Sequence, residues 1–204
     1  MRAVRHAAEH GNGERSRAPR ATTDRAAIAS RLKILLIFLL IACLAVVGLA
    51  AAAYLNFNPL PRDTVADRIL VEKSARCLTL FQNGRVLKTY SVALGRAPLG
   101  AKEYEGDQRT PEGIYRIDFH KPDSDYHLAL HISYPEQHDV DRAAVQGLPA
   151  GSDIMIHGLP NGRGWIGRFH RRSDWTAGCI ALADFEIEEI YRAVPDGTPV
   201  ELRP

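Results

Sequence analysis

The 204-residue chain has few cysteines, few aromatic residues and little net charge. Its three cysteines are too few for the disulfide frameworks of small exported domains. Aromatic residues make up 7%, charged residues 25% and hydrophobic residues 46% of the chain, which is a globular composition. The composition therefore excludes a disordered chain, a collagen-like chain and a membrane protein with several spans.

The net charge of +2 hides an uneven distribution. Residues 1–33 carry eight lysines and arginines against three acidic residues, whereas the rest of the chain carries 18 basic against 21 acidic residues. A nucleic-acid-binding protein needs its basic charge on the folded part, so no nucleic-acid partner is predicted. We interpret residues 1–33 as a disordered, basic cytoplasmic tail.

Residues 34–54 form a run of 21 residues without a charge. As a helix, such a run crosses a hydrocarbon core of about 30 Å. Cationic flanks stay in the cytoplasm, and the basic tail lies directly before this run. The sequence therefore predicts a single-pass anchor over residues 34–54 in the inner (cytoplasmic) membrane, with the N-terminus inside and the following domain outside.

Two other interpretations of the hydrophobic run remain open. The alanines at Ala50–Ala53 fit the exit of a cleaved signal peptide, although the run is longer than a typical secretory core of about 7–15 residues. The segment Leu40–Cys43 resembles a bacterial lipobox, but the apolar run continues beyond Cys43. In all three cases the domain after the run is exported.

Residues 55–66 contain Pro59 and Pro61 and are predicted to be a stiff linker, and residues 67–204 the folded domain. Short strand-like segments separated by turn signals favour a mainly β fold, a small antiparallel β-sandwich or barrel with one or two helices. The predicted strands are Arg68–Val71, Cys77–Gln82, Val86–Leu94, Gly113–Phe119, His127–Tyr134, Asp153–His157 and Pro199–Leu202. Asn83-Gly84 predicts a hairpin, and a helix is predicted from Asp184 as N-cap to Val194.

A cysteine and a histidine 22 residues apart, Cys179 and His157, are the strongest catalytic candidates. A thiol with a pKa of about 8.5 needs a base at neutral pH, and His157 can take its proton to give a thiolate–imidazolium pair. Gly178 lets the backbone approach a substrate, so the amides of Gly178 and Cys179 are candidates for an oxyanion hole. Spacing alone is weak evidence, because a buried cysteine and a hydrogen-bonded histidine are common.

The residues around this pair resemble the YkuD-type L,D-transpeptidase catalytic domain, in its YafK-like branch. The resemblance covers residues 68–204 and includes the string His157-Gly158, a glycine-rich loop and Thr-Ala-Gly-Cys-Ile at 176–180. Further matching elements, in order, are Ala93-Leu94-Gly95, Gly106-Asp107, Thr110-Pro111-Glu112-Gly113, Ser133-Tyr134-Pro135 and the C-terminal VPDGTPVEL. Many members have Arg and a second His where this chain has Ala181 and Ala177, which puts carboxylate recognition in doubt.

The resemblance implies an enzyme that acts on peptidoglycan stem peptides and needs no cofactor. Cys179 is then the nucleophile, His157 the base and acid, and the backbone at Gly178 the oxyanion hole, with Gly158, Thr176 and Trp175 at the substrate. Transfer to an amine and hydrolysis both remain open, as does a non-catalytic wall-binding module; the oligomeric state is not predicted. The loop after Leu159 contains four arginines: Arg163, Arg168, Arg171 and Arg172. Two interpretations of this loop are equally good: an exposed basic loop, or a lid whose arginines bind substrate carboxylates.

Four histidines within 19 positions invite a metal hypothesis: His120, His127, His131 and His138. The local pattern is strand-like, and neither a cysteine nor an H-E-x-x-H motif accompanies it. We therefore predict no metal site. A Cys77–Cys179 disulfide is not predicted either, because it needs two close and well-aimed Cβ atoms.

Overall fold

The computed structural model describes residues 21–54 and 58–204. The chain divides into two compact units, with the boundary between Gly48 and Leu49. The first twenty residues of the predicted basic tail, and residues 55–57 of the predicted linker, lie outside the described residues. The tail and linker assignments therefore stay predictions.

The first element is a long apolar helix, α1, over Ala21–Tyr54. Its segment Ile28–Ala52 has 25 residues and a mean hydropathy of 3.2, enough by length and composition to cross a membrane. This candidate span begins six residues before the run predicted from the absence of charge, because the helix continues through Arg31 and Lys33.

An eight-stranded sheet forms the centre of the second unit, in the order β3-β2-β1-β8-β4-β5-β6-β7. The strands are β1 Arg68–Glu72, β2 Cys77–Gln82, β3 Arg85–Ser91, β4 Gly113–Ser124, β5 His127–Ile132, β6 Met155–His157, β7 Ile180–Ala181 and β8 Pro199–Arg203. The helices are α2 Gln137–Val145 and α3 Asp184–Ala193, with a 3₁₀ segment over Gly164–Arg172. The predicted mainly β architecture is confirmed.

The sheet is mixed rather than wholly antiparallel. β1 pairs with β8, and β6 with β7, in parallel, while the other five neighbouring pairs are antiparallel. Both parallel pairs join segments that are distant in sequence, which hairpin signals do not reveal. β7 is only two residues long and was not predicted; it borders the cysteine.

Strand β4 connects the two halves of the sheet. Its first four residues, Gly113–Arg116, pair with β8, and its later residues pair with β5. Alternating side chains such as Tyr115 and Ile117 are buried, as the period of a half-covered strand requires. Ile187 and Ile190 of α3 belong to the same core, so α3 covers the sheet close to β5.

The predicted C-terminal helix exists, but it begins differently. Ala183 is the N-cap, and Asp184 is the first helical residue. The Glu186 carboxylate accepts a hydrogen bond from the Ala183 amide at 3.2 Å, which satisfies a donor at the start of the helix. The Asp184 carboxylate is used elsewhere, because it accepts the Leu159 amide at 2.8 Å. Asp184 thus holds the chain segment that follows His157.

Candidate active site

Cys179 and His157 lie at the ends of two neighbouring parallel strands. His157 is the last residue of β6, and Cys179 directly precedes β7. The register places His157 beside Ala181, and side chains two residues apart share a face of a strand. Cys179 and His157 therefore share a face, and both line a cavity of about 340 Å³.

The His157 ring is held in one orientation. Its Nδ1 donates to the Gly158 carbonyl oxygen at 2.7 Å, so the unprotonated Nε2 is the basic atom. The ring packs against Tyr126, with centroids 4.5 Å apart, and against Trp175 at 5.8 Å. Burial lowers the pKa of His157 from 6.5 to about 4, and the bond to Gly158 opposes this shift only in part. At neutral pH, His157 is an uncharged base.

The Cys179 thiol is also uncharged in this environment. It donates to the Asp153 carbonyl oxygen at 3.5 Å, and Asp153 itself has a positive φ of 58°. Burial raises the pKa of Cys179 and outweighs the opposing hydrogen bond from the Met155 backbone. The sequence led us to expect a thiolate–imidazolium pair. The lowered pKa of His157 and the raised pKa of Cys179 instead favour a neutral thiol beside a neutral imidazole as the resting state.

Gly178 occupies a position that only glycine fits. Its φ is +139°, and an added Cβ would lie 2.7 Å from the Arg109 carbonyl oxygen. Its amide donates to Thr176 Oγ1 at 3.1 Å, and the Thr176 hydroxyl donates to the Cys179 carbonyl oxygen at 2.8 Å. Thr176 thus closes the turn before Cys179, and the Gly178 amide is already hydrogen-bonded. The Cys179 amide makes no hydrogen bond within residues 58–204, so of the two amides it is the one available to a ligand.

This turn is tied to the segment after β3. The Thr176 amide donates to the Leu94 carbonyl oxygen at 3.1 Å, and the Leu94 amide donates to Asp174 Oδ1 at 2.9 Å. Asp174 also forms an ion pair with Arg76 at 2.9 Å. Contacts with residues about 80 positions earlier therefore hold the cysteine turn in place.

Two of the loop arginines are paired with a carboxylate of α3. Arg168 Nε is 3.0 Å from Glu186 Oε1, and Arg171 pairs with Glu186 Oε2. Arg163 is exposed and, like Arg168 and Arg171, does not line the cavity with Cys179. These ion pairs attach the loop to α3, and the interpretation of the arginines as a substrate-binding lid stays a prediction.

The cationic side chains of the cavity are Arg96 and Lys121, which the sequence analysis did not single out. Tyr126 and Asp153 also line it and were missed. Arg96 directly follows the Ala93-Leu94-Gly95 element, a signal that points to it. Lys121, Tyr126 and Asp153 carry no local signal, because only the tertiary structure brings them to the cysteine.

The remaining predicted substrate-binding residues have two different surroundings. Trp175 and Thr176 line the cavity. Gly158 is a packing position instead, since an added Cβ would lie 3.0 Å from atoms of Asp184, Ile187 and Tyr126. Gly158 therefore brings His157 close to α3 and does not line the cavity.

A second cavity of about 390 Å³ opens at the same cysteine. Cys179, Ala177 and Asp153 belong to the walls of both cavities. The second one is further lined by Lys102, Glu105, Gly106, Gly151, Ser152 and Ile154. The thiol can therefore be approached from two sides.

The other cysteines and histidines are distributed as separate pairs. All three cysteines are free thiols, and Cys77 donates to Glu72 at 3.5 Å. His120, His127 and His131 each lie within 3.1 Å of a carboxylate, of Asp196, Glu188 and Asp118 respectively. Within the described ranges, no group of three or more potential metal ligands comes together.

Comparison with known proteins finds a matching family model and similar chains. A family model described as the L,D-transpeptidase catalytic domain matches residues 66–202. YafK of Escherichia coli (strain K12) is 26% identical over 176 residues, which are 80% of this chain and 63% of YafK. YqjB of Bacillus subtilis (strain 168) is 28% identical over 149 residues, 72% of this chain and 74% of YqjB. The names of both relatives assign them provisionally to the L,D-transpeptidases.

A solved structure shows the same fold. The helical cell shape determining protein Pgp2 from Campylobacter jejuni is similar to this chain with a TM-score of 0.53 and 27% sequence identity. The similarity covers 69% of this chain and 48% of Pgp2. This chain thus spans less than two thirds of YafK and about half of Pgp2.

Proposed function

Because the chain belongs to the YkuD family of L,D-transpeptidase catalytic domains, we propose that it is a cysteine-dependent enzyme of peptidoglycan remodelling. Its substrate class is the stem peptide, and its reaction passes through a thioester on Cys179. The observation that carries the proposal is the pair at one cavity: a thiol and an unprotonated imidazole nitrogen at the ends of adjacent strands.

In the first step, Cys179 Sγ attacks the carbonyl carbon that follows the L-centre of diaminopimelate, as the family resemblance implies. The thiol proton passes to His157 Nε2 as the S–C bond forms, because neither group is charged beforehand. The C–N bond then breaks, and the same proton goes to the leaving amine of the terminal D-residue. The product is an acyl-enzyme and a free D-amino acid.

In the second step, an acceptor amine attacks the thioester carbonyl and gives its proton to His157. The C–S bond breaks, and the thiol recovers that proton. Water in place of the amine gives hydrolysis. The Cys179 amide donates to the oxygen that becomes negative in each tetrahedral intermediate. The two cavities that meet at Cys179 support a donor peptide on one side and an acceptor on the other.

We propose Arg96 and Lys121 as the groups that bind substrate carboxylates. Both line the cavity with His157, and stem peptides carry free carboxylates. Trp175 and Tyr126 give the same cavity two aromatic surfaces.

We further propose that α1 is an uncleaved, single-pass anchor in the inner (cytoplasmic) membrane, with the N-terminus inside and the catalytic domain outside. The apolar span Ile28–Ala52 and the basic residues before it support this topology. Intact mass of the membrane-extracted protein tests it: a mature N-terminus at Cys43 would indicate a lipoprotein, and one near Ala53 a cleaved signal peptide.

The decisive experiment incubates the full chain in detergent with muropeptides and analyses the products by mass spectrometry. We expect loss of the terminal D-residue together with new cross-links between diaminopimelate residues. Cross-links define a transferase, and loss of the D-residue or of wall-tethered protein without cross-links defines a hydrolase. Cys179→Ala is the matched control. Unchanged products with that variant would place the nucleophile elsewhere, and no turnover by the parent would favour a wall-binding module.

A further inference from the structure

His170 is a buried histidine that the proposed reaction does not use. It lies in the 3₁₀ segment Gly164–Arg172 and is 8% exposed. Its Nδ1 accepts a hydrogen bond from the indole Nε1–H of Trp175 at 3.3 Å. The two rings stand nearly perpendicular, at 87°.

The tautomer of His170 follows from this bond. An indole N–H can only donate, so Nδ1 is the acceptor and the proton of the neutral ring sits on Nε2. That Nε2 atom is buried and has no hydrogen-bond partner in the described part of the chain. Burial lowers the pKa of His170 to about 4, which keeps the ring neutral at pH 7. A buried N–H without a partner costs free energy, so the Nε2–H group does not favour a histidine at this position. The hydrogen bond that Nδ1 accepts from Trp175 is the contact that an apolar side chain could not make.

Trp175 connects His170 to the catalytic histidine. One side of the indole receives the His170 contact, and the ring lies 5.8 Å from the His157 ring at an angle of 70°. Tyr126 lies against His157 as well, at 4.5 Å. Trp175 also stacks on Tyr126, with centroids 6.2 Å apart, so the three rings form one cluster. Because His157 packs against both of the other rings, the orientation of Trp175 constrains the position of the base beside Cys179.

The arginines of the same segment hold His170 in place. Arg168 and Arg171 both pair with Glu186, whose side chain is buried and caps α3 through the Ala183 amide. This arrangement attaches the 3₁₀ segment to α3 on both sides of Phe169 and His170. The arginine-rich loop therefore has a use that does not involve substrate carboxylates.

We propose that His170 is a positioning residue: it orients Trp175 through Nδ1, and Trp175 in turn fixes the ring of His157 against Cys179. The inference deepens the proposed function, because it rests on His157 acting on Cys179. It does not depend on which peptide the enzyme uses.

The test measures the reactivity of Cys179 with iodoacetamide in the full chain in detergent. Cys43→Ser and Cys77→Ser form the background, so that alkylation reports on Cys179 alone. In this reaction the S–C bond forms, iodide leaves, and the thiol proton goes to His157. We expect His170→Leu and Trp175→Phe each to slow alkylation by about 3- to 30-fold, which lies within the roughly 2- to 150-fold that corresponds to the coupling of residues in contact. We expect the double variant to be no slower than the slower single variant.

A conservative variant separates hydrogen bonding from packing. His170→Asn keeps an acceptor near the place of Nδ1 and is expected to recover most of the alkylation rate. Phe169→Leu, the adjacent residue in the same segment, is expected to leave the rate within about twofold. With Trp165→Phe in the background, the fluorescence of Trp175 is expected to shift with His170→Leu and not with Phe169→Leu.

Several results would overturn the inference. They are additive losses in the double variant, an unchanged rate with His170→Leu, or a rate with His170→Asn as low as that with His170→Leu. If His170→Leu fails to fold by circular dichroism, Trp175→Phe and His170→Asn decide the question. Stem-peptide turnover is measured separately, so that a wrong substrate assignment leaves the alkylation result interpretable.

Discussion

The two edges of the sheet are built in different ways. At one edge, β2 and β3 are six and seven residues long and join through Asn83-Gly84, both with positive φ. At the other edge, β6 and β7 have three and two residues and come from segments more than 20 residues apart. The first edge follows from local sequence, and the second exists only because distant segments meet there.

Side-chain contacts show the same contrast. The hairpin pairs Thr79 with Thr89, whose hydroxyls lie 3.0 Å apart across the strands. The edge formed by β6 and β7, here called the cysteine edge, is held by two isolated bridges, Ala93 with Ala181 and Gly95 with Thr176. The Arg109 carbonyl also lies close to Gly178 there. The proposed catalytic residues thus lie where few regular ladder bonds constrain the backbone, and non-local contacts hold them in place.

The largest effect is expected from the base at the cysteine edge. His157→Gln should lower the turnover of muropeptides by about 10²- to 10⁴-fold, because it removes general acid–base assistance. Steady-state kinetics on the full chain measure this loss. His120→Gln, a histidine paired with Asp196 away from the cavity, is the control and should retain parental turnover. Equal losses in the two variants would remove the special role of His157.

The pH dependence of stability is the next largest effect. The pKa of His157 is about 4 in the folded chain against 6.5 in an unfolded one, so the unfolded chain binds more protons between these values. The free energy of unfolding therefore falls as the pH drops through this window. His157 alone contributes about 2 kcal/mol of that fall between pH 7.5 and pH 5.

Urea unfolding of the parent and of His157→Gln at both pH values measures the contribution of His157. His170, whose pKa is also about 4, adds to the fall in both proteins. Burial is the largest cause of its shift and the charge of His157 the smallest, so most of the His170 contribution cancels in the difference. The same pH dependence in parent and variant would show that His157 is not buried as a neutral group.

A third effect concerns the glycine before the nucleophile. Gly178→Ala should destabilise the fold by about 1–3 kcal/mol, because the new Cβ meets the Arg109 carbonyl oxygen in a strained conformation. It should also lower turnover, since relief of the clash moves Cys179. Thermal unfolding and kinetics measured on one preparation check both effects. A fully active and stable variant would refute the close contact with Arg109.

The smallest effect is expected at the opposite edge and makes the comparison direct. Gly84 also has a positive φ, of 74°, but an added Cβ would meet no atom within 4 Å. Gly84→Ala should therefore lower the free energy of unfolding by only about 1 kcal/mol, the cost of placing an alanine at a positive φ. Turnover should stay unchanged. Thermal unfolding beside Gly178→Ala measures the difference. A loss of activity with Gly84→Ala would mean that the two edges are coupled.

Local signals predicted much of the fold. The Asn83-Gly84 hairpin is confirmed, because two residues are enough to specify that turn. Helix α3 was predicted from its apolar spacing, although Asp184 is a helical residue that holds Leu159 rather than the N-cap. Helix α2 and the 3₁₀ segment were missed, since each is only nine residues long and helices this short are stabilised mainly by their surroundings.

The candidate site also contains residues that the sequence predicted and residues that only the structure revealed. The motifs placed Cys179, His157, Gly178, Thr176 and Trp175 together on the basis of resemblance, and the structure brings all five to one edge of the sheet. The charges of the arginine loop were visible in the sequence, but their partner Glu186 was not, because an ion pair depends on which helix lies opposite. Arg96, Lys121 and Tyr126 entered the cavity only in three dimensions.

The sequence by itself determined the apolar span, the mainly β character, the hairpin and the membership of a catalytic family, since each depends on composition, short-range turns or ordered motifs. The tertiary structure alone decided the charge state of the thiol–imidazole pair, the engaged amide of Gly178 and the identity of the cavity walls. These properties depend on burial and on distances between side chains far apart in the chain, and water exclusion and long-range packing exist only once the sheet is assembled.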